Sequence, residues 1–193
     1  DRLPLGNAVA IEFLGPIAIA AIGTKSVRSA GALLLAASGV LILAGVQGDG
    51  TLLGVLFALM AGSMWAGYIV LGHRVARDGL AIDGLGVGML IGAFVISPLG
   101  IGEIDVAFSD LRILGLALAA GLLSNIVPYV IDQFVMKEIT RSRFAFLQAL
   151  LPVTATVVGF LSLGQSPSWA ECLGIGSVIL AIAISGGDRE FRK

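Results

Sequence analysis

The sequence is poor in most of what a water-soluble protein needs. Charged residues fill only 13% of its 193 positions, about half the usual share of a soluble domain. It has one cysteine, Cys172, and one histidine, His73. A lone cysteine excludes a disulfide framework and any CxxC metal or redox site. A lone histidine cannot supply the HExxH motif of zinc proteases, and no GxxxxGK[ST] stretch occurs to cradle a nucleotide. The net charge of -1 gives no field to draw in polyanions, which excludes a nucleic-acid binder. Apolar residues are abundant instead, at 57%, with a mean hydropathy of +1.00. Glycine is abundant too, at 27 residues, which suits membrane helices whose backbones approach closely. This composition describes an all-α, polytopic helical membrane protein whose first partner is the lipid bilayer.

A helix needs about 20 mostly apolar residues to cross a bilayer. Seven such stretches are present, at 4–23, 29–46, 51–72, 84–102, 112–132, 143–163 and 168–186. Short polar breaks such as Gly23-Thr24-Lys25-Ser26 and Gln47-Gly48-Asp49-Gly50 separate them. Membrane β-strands would alternate over about 10 residues, whereas Leu33-Leu34-Leu35-Ala36-Ala37 does not. Lysine and arginine mark the cytoplasmic loops. One side carries Lys25, Arg28, Arg74, Arg77, Lys137, Arg141, Arg143, Arg189, Arg192 and Lys193, and the other only Arg2 and Arg112. The bias predicts a cytoplasmic C-terminus. The opposite loops are acidic or neutral, with Asp49, Glu103, Asp105, Asp110 and Gln165-Ser166-Pro167-Ser168.

The first and sixth stretches share a pattern at an offset of 136 residues. Glu12-Phe13-Leu14-Gly15-Pro16 lies over Gln148-Ala149-Leu150-Leu151-Pro152, and Gly23 over Gly159. A repeat at that offset is five helices long, and an odd-numbered unit inserts its second copy upside down, as in inverted-repeat transporters. The first copy would then lack three helices. The chain begins with Asp1 rather than Met and shows no signal-peptide pattern. It is therefore expected to be a fragment, helices 4–10 of a ten-helix protein, unable to transport alone. The expected division is 1–46 as the last two helices of a first repeat, 51–187 as a complete second repeat, and 188–193 as a cytoplasmic tail.

Polar groups inside hydrocarbon are expensive and need a reason. Glu12 is the strongest case, a candidate proton carrier or partner for a substrate amino group. Pro16 clashes with the carbonyl of residue 12 and removes its helical partner, and Pro128 and Pro152 are further candidate kinks. Asn125, Tyr129 and Asp132 stand at i, i+4 and i+7 on one face, flanked by Ser124 and Pro128. Trp65 and Tyr68 pair at i, i+3 as a candidate pocket wall. Gln148 is the uncharged counterpart of Glu12. Each of these residues has a packing alternative. Gly84, Gly88 and Gly92 form a strip expected to pack closely against a neighbour. His73 reads as an interfacial residue and Cys172 as a small buried one.

Several stretches resemble the EamA family of the drug/metabolite transporter superfamily, and within it the threonine and homoserine exporter branch. They are Leu3-Pro4-Leu5-Gly6-Asn7-Ala8-Val9-Ala10-Ile11-Glu12-Phe13-Leu14-Gly15-Pro16, Ala61-Gly62-Ser63-Met64-Trp65-Ala66-Gly67-Tyr68, Leu122-Leu123-Ser124-Asn125-Ile126-Val127-Pro128-Tyr129 and Arg143-Phe144-Ala145-Phe146-Leu147-Gln148-Ala149-Leu150-Leu151-Pro152. The resemblance implies ten helices in two inverted halves and a bacterial inner-membrane exporter of small metabolites such as amino acids. That branch usually has Glu where Asp132 stands and a Leu-Glu-Pro-like element where Leu150-Leu151-Pro152 stands. With no nucleotide site, cofactor or enzymatic constellation expected, proton coupling through Glu12 or Asp132 is the expected energy source. The competing class is a seven-helix receptor or sensor. A retinal protein would need a lysine in the last stretch, and none lies between Pro167 and Gly187. A same-fold transporter of another metabolite or drug is the nearer alternative. Oligomeric state is not readable from these residues.

Overall fold

A computed structural model describes residues 3, 5–45, 51–103, 108, 110–164 and 166–185. Outside them fall Gln47-Gly48-Asp49-Gly50, Asp105, Gln165, Arg2 and the tail with Arg189, Arg192 and Lys193. Among the described residues, regular structure is entirely helical: α1 (Leu5–Glu12), α2 (Leu14–Ile22), α3 (Val27–Ala44), α4 (Leu52–Arg77), α5 (Ala81–Gly100), α6 (Leu111–Gly121), α7 (Val127–Glu138), α8 (Arg141–Leu147), α9 (Leu150–Leu163) and α10 (Trp169–Ser185). Five helical stretches are long and apolar enough to cross a bilayer: Val27–Ala44, Leu52–Arg77, Ala81–Gly100, Leu111–Glu138 and Arg141–Ser162. Two shorter apolar helices, Asn7–Ile22 and Trp169–Ile184, complete the set. The chain is a polytopic helical membrane protein.

Small polar side chains start these helices by taking up backbone N–H groups that have no partner in the first turn. The Ser29 amide donates to Ser26 Oγ at 3.0 Å, and the Gly54 amide to Thr51 Oγ1 at 3.2 Å. The Arg112 amide donates to Asp110 Oδ1 at 2.8 Å, and the Arg143 amide to Thr140 Oγ1 at 3.3 Å. At α10 the exchange is reciprocal. The Ser168 amide donates to Glu171 Oε2 at 2.6 Å, and the Glu171 amide to Ser168 Oγ at 3.3 Å. This Ser-x-x-Glu capping box gives Glu171 a structural use. Gly45 and Gly164 close α3 and α9 with φ of 59° and 66°, a left-handed conformation that costs glycine nothing.

The helices divide into two compact units, residues 1–71 with 139–193, and residues 72–138. In the first, α3 and α10 share the broadest interface. The buried stripe of α3 is Ser29, Ala32, Ala36, Gly39 and Val40. That of α10 is Gly174, Val178 and Ala181. Both repeat at helical spacing, and small residues let the backbones meet. A Cβ on Gly39 would meet Val178 and Ser177, while one on Gly174 would meet Leu43. Residue 39 therefore lies beside 178 and 43 beside 174, so the two helices run antiparallel. α2 packs on α8, where Ser142 Oγ donates to the Ile19 carbonyl at 3.2 Å.

In the second unit α5 lies along α7. No residue of α5 is buried, and Leu90, Ile91, Phe94, Val95 and Leu99 are all exposed. Apolar side chains that would be costly in water are at home in hydrocarbon. α6 runs into α7 through one widened turn at Leu122–Ile126, where the Val127 amide reaches back to Leu122. Pro128 follows directly; its ring clashes with the carbonyl four residues back, and a wide turn relieves that clash. Gly88 and Gly92 do not form the expected packing strip, because a Cβ on either would meet open space. Only Gly84 is close to a neighbour, Val75. Close backbone approach occurs instead at Gly15, Gly62, Gly39 and Gly174.

Candidate functional site

The first apolar stretch is not one rod. α1 ends at Glu12, Phe13 forms a turn, and α2 resumes at Leu14. Pro16 has no N–H to give the Glu12 carbonyl, so that oxygen leaves the ladder. It faces α4 at Gly62, where a Cβ would lie 2.8 Å from it. Gly15 meets the Gly62 carbonyl in turn. With no side chain on either glycine, the interrupted helix and α4 touch backbone to backbone.

This crossing brings two of the expected site residues into one place. Phe13 is buried, and its ring stands edge-on to Trp65, with centroids 5.0 Å apart and planes at 71°. Such geometry sets the positive edge of one ring on the negative face of the other. Glu12 is half-buried beside it. Tyr68, one turn along α4 from Trp65, is half-buried and makes its own interaction. Gln148 is half-buried at a similar interruption between α8 and α9. Its backbone N–H donates to the Phe144 carbonyl at 3.2 Å, and its backbone carbonyl accepts from the Leu151 N–H at 3.0 Å. Pro152 stands four residues after Gln148, as Pro16 does after Glu12.

Close by, Phe13, Pro16, Ala20, Ala36, Val40 and Phe146 help to line a cavity of about 10 Å³. That is room for one water at most, and a buried water needs two to four polar partners. This lining offers almost none, so the cavity is a packing gap rather than a ligand site.

The other expected group lies along the α6–α7 helix of the second unit. Asn125 is exposed within the widened turn, and its Nδ2 donates to Ser124 Oγ at 3.1 Å. The Ser124 hydroxyl donates in turn to the Ala120 carbonyl. Tyr129 and Asp132 are half-buried, and each makes an interaction. The wide turn changes the register, so Asn125 does not share the degree of burial of the other two. The buried residues of α7 are Gln133 and Met136.

Gln133 is not among the expected site residues, although Tyr129 and Gln133 stand at i, i+4 on one face. Asn7, also buried and partnered, is a second polar residue that hydropathy alone did not raise. His73 is buried at 8% exposure and has a partner. Cys172 is exposed rather than buried. It stands two residues before Gly174, about 200° around α10 from the packed stripe. Among the described residues, no three His, Cys, Asp or Glu side chains gather closely enough to hold a metal ion.

Comparison with known proteins agrees with this architecture. Residues 52–187 match the EamA-like transporter family. The chain is 32% identical to the threonine/homoserine exporter RhtA of Escherichia coli (strain K12) over 94% of its length, and 33% identical to that of Salmonella typhimurium (strain LT2). It spans 62% of the length of those exporters. An uncharacterized transporter of Bacillus subtilis, YcbK, is 26% identical over 74% of the chain and 46% of its own length. One solved crystal structure shares the fold with a TM-score of 0.70 at 19% identity, over 95% of this chain and 68% of that one. An all-helical, multi-pass architecture and a family match over most of the sequence lead to one conclusion: the chain belongs to the EamA-like transporter family.

Proposed function

We propose that this chain is part of a secondary transporter that exports small amphiphilic metabolites, amino acids such as threonine and homoserine, from the bacterial cytoplasm across the inner membrane. The observation that carries the reading is the 32–33% identity to threonine/homoserine exporters over 94% of the chain. The mechanism is alternating access between inverted halves. Residues 1–46 belong to a first repeat, 51–187 form the second, and the tail at 188–193 is cytoplasmic. Two structural features support that division. Both interrupted helices break at the same repeat position, Phe13 and Gln148–Ala149, given the offset of 136 residues. The last helix of each repeat, α3 and α10, packs antiparallel, as inversion requires.

Energy comes from protons, with Glu12 or Asp132 as carrier. Glu12 sits at a helix break, where a carboxyl can meet a proton or an ammonium group without a second membrane charge to neutralise it. Trp65 and Tyr68 form the wall beside it, and Gln148 offers a hydrogen bond at the matching break; Asn125 and Tyr129 are the polar groups that the second unit offers on its own. The test is efflux of labelled threonine and homoserine from cells expressing the full-length protein, with and without Glu12→Gln. The expected result is export by the wild type that rises with the proton gradient, and loss of that dependence in Glu12→Gln. Unchanged rate and pH dependence remove Glu12 from the mechanism. Absence of threonine and homoserine export alongside export of another metabolite moves the substrate, consistent with the departures at Asp132 and Leu150-Leu151-Pro152.

A further inference from the structure

Gln133 is 3% exposed. Its Oε1 is the only buried side-chain oxygen or nitrogen among the described residues that has no hydrogen-bond partner. Leaving such an acceptor unpaired costs its full desolvation, and native interiors keep few of them. Met136, three residues on and equally buried, shows that an apolar chain of similar length fits this face. An amide here therefore needs a donor from outside the described residues.

We propose that Gln133 is a substrate-contacting residue whose Oε1 accepts a hydrogen bond from an N–H or O–H of the transported solute, and so helps to decide which solutes are carried. The inference rests on the exporter reading above and deepens it. Its neighbours define the chemistry. Asp132 adjoins it and Tyr129 is one turn back, both half-buried and both with interactions of their own. Gln133 is the acceptor left over. Tyr129 and Gln133, four apart, share one face of the helix, and a lone acceptor there favours a solute with an ammonium or hydroxyl group over one with only a carboxylate.

Thermal unfolding of the purified full-length protein, with and without threonine, tests this. Threonine raises the Tm of the wild type. Gln133→Leu, relieved of its unpaired oxygen, is at least as heat-stable without threonine but loses the shift, or needs at least tenfold more threonine for half of it. Gln133→Glu keeps an acceptor and keeps a response. If Gln133→Leu does not accumulate as folded protein, Gln133→Met takes its place, with the same length and no acceptor. Equal threonine responses in the wild type and the apolar variant overturn the proposal and leave Gln133 a packing or water-binding residue. A folded wild type that neither threonine nor homoserine stabilises rejects these two amino acids as solutes of this protein, and this inference with them.

Discussion

Gly39 of α3 and Gly174 of α10 each stand where the other has no side chain. The Gly174 carbonyl lies 2.8 Å from where a Cβ on Gly39 would sit, and the Gly39 carbonyl 3.1 Å from one on Gly174. These neighbours are backbone, so they cannot rotate away. Gly39→Ala must push the helices apart, at a cost of about 1–3 kcal/mol for overpacking. Gly88→Ala in α5 meets nothing and should be neutral or stabilising by up to about 1 kcal/mol. Thermal unfolding of both variants in detergent checks the pair. A Gly39→Ala protein as stable as Gly88→Ala would show that the two helices are not in contact there.

The Phe13–Trp65 contact can be read optically. The chain has two tryptophans, and Trp169 is 88% exposed. Trp169→Phe leaves Trp65 as the only indole reporter. Its emission should be blue-shifted, and Phe13→Ala should move it to the red while costing about 3–5 kcal/mol of stability. An emission maximum indifferent to Phe13 would separate the rings.

Ser142 and Gly23 are coupled in a way that a double-mutant cycle isolates. Ser142 Oγ donates to the Ile19 carbonyl, and the same side chain fills the space a Cβ on Gly23 would take. Gly23→Ala alone forces that serine out and should destabilise by about 1–3 kcal/mol. Ser142→Gly loses one hydrogen bond, about 1 kcal/mol. Together they should cost less than their sum, with a coupling of about 0.5–3 kcal/mol measured by chemical denaturation. Strict additivity would contradict the contact.

Pro16→Ala returns an N–H to the Glu12 carbonyl. On the exporter reading proposed above, the repaired ladder should raise the Tm slightly and slow export several-fold, since a stiffer element trades activity for stability. Faster or unchanged export, read from initial rates of labelled threonine efflux, would mean the interruption at Phe13 plays no part in transport.

Much of this fold was legible because hydrocarbon imposes simple rules on length and polarity. Among the described residues the apolar stretches are helical, five of them long enough to cross a bilayer, and proline chemistry alone marks Pro16, Pro128 and Pro152. Sidedness within a helix was less legible. Hydropathy does not say which face meets lipid and which meets protein when both are apolar. That is why Gly88 and Gly92 read as packing residues and Cys172 as buried. The widened turn at Leu122–Ile126 also broke the periodicity on which the Asn125, Tyr129 and Asp132 stripe was counted. Gln133 is hidden for another reason: hydropathy weighs the charge of Asp132 beside it more heavily than an uncharged amide.

The break at Phe13 also has a mechanical side. α1 holds eight residues and is roughly 12 Å long. Swung by about 20° at its joint, a modest kink for a helix, its far end would travel roughly 4 Å. That stroke is wide enough to admit or shut out a small side chain. It would be delivered without unwinding a single turn of either segment. The nine residues of α2 could stay seated as the fixed arm of the lever.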